Sequence, residues 1–144
     1  MSNRSRSTLF LIEQLIVIAV FAISAAACTG ILTSAYFTAM DSRDTSRAIL
    51  AAENGAESYK ATGGDLGETA QMLGGVSGSV DGSTAAIVYF DKQWQVCRQE
   101  NAHFRMLVVG VTKGPALLSG ELSVEKLTGE ILIAFPVAVR GEAG

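Results

Sequence analysis

Between Leu9 and Met40 this chain carries a single charged residue, Glu13. Roughly 20 apolar residues are enough to cross a bilayer. The run therefore predicts a membrane-spanning helix rather than a segment of a globular core. A carboxylate near the centre of such a helix costs about 2.5 to 3.5 kcal/mol on insertion scales. An anchor alone would do better with Leu there. In one reading Glu13 lies close enough to the helix start to reach lipid headgroups and the positive helix end. In the other it meets a positive partner supplied by a second molecule.

Composition places one modest domain behind this helix. Of 144 residues, 49% are hydrophobic, and much of that is concentrated in the first 40. The hundred or so residues that follow suffice for one small core. The formal charge is −3, and loss of residues 1–8 with Arg4 and Arg6 would take it to −5. An acidic chain without a basic patch argues against nucleic-acid binding. Arg4 and Arg6 precede the apolar run with no acid among them. The positive-inside tendency then keeps the N-terminus cytoplasmic, although Arg43 and Arg47 lie on the far side.

The stretch Leu9-Phe10-Leu11-Ile12-Glu13, after a short leader containing Arg4 and Arg6, resembles the N-terminus of type IV pilin-like proteins, including type II secretion pseudopilins. The resemblance is specific over residues 9–60 and topological beyond. It implies a leader at 1–8 that a membrane prepilin peptidase removes between Thr8 and Leu9. It implies methylation of the new N-terminus at Leu9. It also implies that Glu13 pairs with the terminal amine of a neighbouring subunit during assembly. The family usually has Gly before the cut and Phe after it, where this chain has Thr8 and Leu9. That difference leans toward a minor subunit. The resemblance places the C-terminal domain outside, at the cell surface or in a filament.

No proline occurs from Leu9 to Ala61. Read as one helix, 9–61 is about 80 Å long at 1.5 Å per residue. Residues 9–37 would span the membrane, and Gly30 is a place where the helix could bend. Beyond Met40 the character changes. Asp41, Arg43, Asp44, Arg47, Glu53, Glu57 and Lys60 mark a wet surface, while Ala48, Ala52, Ala56 and Tyr59 recur at helical spacing. That small-residue stripe predicts close approach to a sheet.

Residues 62–83 read as a connector, with seven glycines in 22 positions. Gly63-Gly64 should end the long helix. Asp65-Leu66-Gly67-Glu68 resembles a capping box and predicts a short helix from Leu66 to Leu73. No phosphate-loop pattern accompanies the glycines.

Residues 84–144 alternate as an antiparallel sheet of four or five strands would. Expected strands include 84–90, one carrying Trp94 and Val96 on one face, one in which Phe104, Met106 and Val108 alternate with His103, Arg105, Leu107 and Val109, and one in which Leu122 and Val124 alternate with Glu121, Ser123 and Glu125. A last strand places Ile131, Ile133 and Phe135 on one face and ends or bends at Pro136. Trp94 and Ile133 are expected to bury against the alanine stripe. The fold class is α+β, a long N-terminal helix packed on a small antiparallel sheet.

Chemistry-bearing motifs are sparse. The single histidine, His103, reads as a surface or edge residue, and with Cys97 it forms no nucleophile signature. No His/Cys grouping has metal-ligand spacing, and Asp81, Asp91 and Glu100 are more simply solvated loop acids than calcium ligands. No catalytic residue, cofactor or metal is expected. Cys28 lies in the apolar run and Cys97 beyond it, too far apart to pair in one subunit.

Two functional classes remain. The first is a non-enzymatic structural subunit, a minor pilin or pseudopilin, inserted in the membrane and then assembled through its N-terminal helix with other pilin-like subunits. The second is a monomeric membrane-anchored protein or lipoprotein with a ligand- or partner-binding β domain. Ala25-Ala26-Ala27-Cys28 would then serve as the cleavage and lipidation site.

Overall fold

The computed structural model describes residues 2–112 and 117–140 of the chain. Two compact units emerge, residues 1–42 and 43–144. The architecture is α+β, with a long N-terminal helix and a five-stranded antiparallel sheet.

Helix α1 runs Ser2–Ala61 without a break, through both Gly30 and Gly55. In its first stretch nearly every large apolar side chain is exposed, from Leu9 to Met40. Its last five turns behave differently. Ala48 and Ala52 are fully buried, and Ala56 and Tyr59 nearly so. Gly55 belongs to the same stripe. A Cβ there would come within 2.8 Å of Met106 Sδ and 3.0 Å of Leu122 Cδ1. The helix backbone thus rests directly on the sheet at Gly55. The helix stops where Gly63 and Gly64 take φ of 64° and 90°. Their N–H groups donate to the carbonyls of Lys60 and Tyr59, which would otherwise be left open at the helix end.

A short helix α2, Leu66–Met72, follows. Asp65 caps it, its carboxylate accepting from the Glu68 N–H at 2.9 Å. Thr69 is fully buried, and its hydroxyl is satisfied by Thr62 Oγ1 at 2.7 Å and by the Asp65 carbonyl. Gly74, at φ 71°, ends the segment.

Strands β1 (Val76–Val80), β2 (Ser83–Phe90), β3 (Phe104–Thr112), β4 (Leu117–Lys126) and β5 (Ile131–Arg140) lie side by side in chain order. Every neighbouring pair is antiparallel. β1 lies inside the stretch expected to be a connector. Val80 and Ser83 pair across a two-residue turn, Asp81 at φ 50° and Gly82 at φ 80°. Two successive positive φ values suit the right-handed twist of a hairpin, and Asp-Gly is the sequence that adopts them.

Alternation sends Ala86, Val88, Phe90, Phe104, Met106, Val108, Leu122 and Val124 to the face under α1, where all are buried. The cross-strand partners Val88–Met106–Val124 and Ala86–Val108–Leu122 form rows beneath the helix. On the opposite face Arg105 pairs with Glu125 directly across β3 and β4.

Three local expectations are corrected. Residues 93–96 do not form a strand; Val96 makes only an isolated bridge to Phe90. The Asp91 carboxylate captures the N–H groups of Gln93 and Gln95, winding the chain into a tight turn. Trp94 takes φ 61° in that turn and lays its ring on Phe104, centroids 4.1 Å apart. Of the two outcomes expected at Pro136, an end to the strand is excluded, because β5 continues to Arg140. β5 is an edge strand, so a residue without an N–H is tolerated there. Ile131 does not share the inward face. A register shift opposite Val124 and Glu125 leaves it 61% exposed, while Leu132, Ile133 and Phe135 are half-buried against the core.

Candidate functional site

The residues singled out for processing and assembly, Thr8, Leu9 and Glu13, all lie on α1. Leu9 and Glu13 are four residues apart, one turn along the same helix face. Thr8 and Leu9 are joined by a helical peptide bond, so a protease acting there would need local unwinding. Leu9 carries an amide rather than an amine in the uncut chain. The cation that the resemblance offers to Glu13 is created only by the cut.

The electrostatic setting of Glu13 follows from its neighbours. At helix spacings of three and four residues it faces Leu9, Phe10, Ile16 and Val17, all apolar. Among the described residues its exposed side chain makes no hydrogen bond or ion pair. The nearest basic residue along the chain is Arg6, about two turns toward the N-terminus.

The helix around it is long and apolar enough to cross a membrane. Four of its hydroxyl side chains bond within the helix. Ser24, Thr29, Thr33 and Thr38 each donate to the carbonyl four residues earlier, at 2.9 to 3.0 Å. In hydrocarbon a polar group without a partner costs several kcal/mol, and these bonds are made within the helix. Sequence reading passed over them, though Ser and Thr in an apolar helix carry that signal. Small residues Ser34, Ala35, Thr38, Ala39 and Ser42 share a shallow hollow on this helix.

In the second unit the residues considered for chemistry lie apart from the apolar helix. His103 is exposed, its backbone tying β2 to β4 through Phe90 and Leu127. The Cys97 thiol is pushed up, first by burial and then by the Asp91 carboxylate. That is opposite to the depressed thiol of a nucleophile. Asp91 is committed to its turn. Among the described residues no three His, Cys, Asp or Glu side chains come together as metal ligands.

Sequence reasoning missed the contact that joins the Trp94 turn to α1. Trp94 Nε1 donates to Asp44 Oδ1 at 3.4 Å. The ring is also 5.7 Å from Phe90, centroid to centroid. Nothing in the local sequence announces a bond across fifty residues.

Compared with family models, with curated proteins and with solved structures, the chain matches none. The class that the fold itself defines is an α+β domain on a long apolar helix.

Proposed function

We propose that this chain is a structural subunit of a type IV pilus or a type II secretion-like filament, as a minor pilin or pseudopilin. One observation carries the reading, a lone carboxylate set among apolar neighbours near the start of a membrane-length helix. Such a charge is costly in lipid and gains most from a cation supplied by a neighbour in a low-dielectric setting. The helix that bears it continues into the scaffold of a small antiparallel sheet, an arrangement compatible with a pilin-like architecture. Small side chains along the apolar stretch suit close packing of helices in a filament core.

In this mechanism the helix is held in the membrane with its N-terminus cytoplasmic and the sheet outside. A prepilin peptidase removes residues 1–8 and the amine of Leu9 is methylated. Glu13 of an incoming subunit then pairs with the Leu9 amine of the one before it, which sets the axial step. The other subunits of the filament and the peptidase are the partners.

Mass spectrometry of the native N-terminus tests the processing step. The expected product begins at Leu9 and carries one added methyl group. Assembled protein that retains residues 1–8 would count against this reading. A chain beginning at a lipidated Cys28 would establish the anchored monomer instead.

A further inference from the structure

At the end of the sheet where α1 stops, a cavity of about 390 Å³ opens between α1, α2 and strands β2 to β4. Tyr59, Ser83, Thr84 and Ser119 contribute hydroxyls, and Leu66, Val111 and Leu118 contribute apolar wall. Tyr59 is 2% exposed, yet its hydroxyl has no hydrogen-bond partner among the described residues. No side-chain N or O atom among the described residues is both sealed from solvent and unpartnered, so this hydroxyl opens onto the cavity. Two glycines keep the space open. A Cβ on Gly64 would come within 3.4 Å of the Tyr59 hydroxyl, and one on Gly110 within 3.0 Å of Leu66 Cδ1.

We propose that this cavity binds a small uncharged polyol, one sugar ring in size, with the Tyr59 hydroxyl as its central anchor. The volume sits at the low end of the roughly 300 to 1,000 Å³ typical of small-molecule sites. None of the described lining residues is charged, so an ion would be desolvated there without compensation. Hydroxyls both donate and accept, and a ligand of hydroxyls can satisfy several at once. Leu66, Val111 and Leu118 match the C–H face of a ring. The inference does not depend on whether the chain assembles into filaments.

The test uses the full chain in zwitterionic detergent micelles that carry no sugar headgroup. Tyrosine labelled with ¹³C at Cζ gives signals for Tyr36, Tyr59 and Tyr89, and Tyr59→Phe assigns one. Glucose and N-acetylglucosamine are titrated, with cyclohexanol as apolar control and acetate as anionic control. The Tyr59 signal should shift saturably with at least one sugar and with neither control. Saturation-transfer measurements should show binding weakened at least fivefold in Tyr59→Phe and in Thr84→Val. A Tyr59 signal unmoved by both sugars would overturn the proposal. So would a response to cyclohexanol or acetate alone, or unchanged sugar binding in both variants.

Discussion

The two halves of α1 share one backbone geometry and almost nothing else. From Leu9 to Met40 the helix is apolar all round and exposed, with Phe21 at 75%. From Ala48 to Tyr59 it exposes Glu53, Asn54 and Glu57 beside Ile49 and Leu50, and presents a narrow buried stripe of Ala48, Ala52, Gly55, Ala56 and Tyr59. A helix that is apolar on every side needs an apolar surrounding on every side, from lipid or from other helices. A helix with one small-residue stripe needs a single flat surface, and the sheet supplies it. The boundary near Met40 thus separates packing that this chain completes from apolar surface that it leaves exposed.

Substitutions can sharpen or break that division, read by thermal unfolding of the full chain in detergent. The largest effect belongs under the buried half. Leu122 is fully buried and lies against the Gly55 backbone, so Leu122→Ala should lose about 2 to 5 kcal/mol. Trp94, the only tryptophan, gives a fluorescence signal for this unit. An unchanged melting temperature would mean that the helix does not rest on the sheet as described.

A matched pair comes next. Ala52→Leu forces extra bulk into a filled seam and should cost about 1 to 3 kcal/mol. Ala26→Leu, in the apolar half, should leave sheet unfolding within about 0.5 kcal/mol of wild type, as expected away from packed contacts. Equal effects would erase the distinction between the halves.

Trp94→Phe keeps an aromatic ring against Phe104 and removes the donor to Asp44. The loss of one long hydrogen bond should cost about 0.5 to 1.5 kcal/mol, read by circular dichroism. No change would show that stacking alone holds the turn.

How much of this was legible follows the range of the interactions. The alanine stripe and the alternation along β3 and β4 were read directly, because helical and strand periodicities are local. Gly55 was legible too, since it stands three residues after Ala52 in the stripe. β1 was lost to glycine content, although Asp81-Gly82 between Val80 and Ser83 carries the two-residue hairpin signal. The Trp94 turn was not legible, for alternation in Gln93–Val96 imitates a strand. What overrides it is the Asp91 carboxylate together with rings distant in sequence. At the candidate site, the charge and apolar setting of Glu13 were visible from neighbours alone. The unpartnered Tyr59 hydroxyl was not, because three strands and a turn create its surroundings.

The central claim is that Glu13 serves assembly rather than folding or insertion. The direct measurement expresses Glu13→Leu beside wild type and quantifies membrane-fraction and sheared-filament protein separately. Insertion should be at least as good as wild type, since a costly carboxylate has gone. In a filament the variant would leave a neighbour's ammonium buried and unpaired, at about 3 to 5 kcal/mol. That exceeds the roughly 1.4 kcal/mol per tenfold, so filament incorporation should fall by at least tenfold. Filament incorporation equal to wild type, with equal membrane protein, would contradict the account and favour a membrane-anchored monomer.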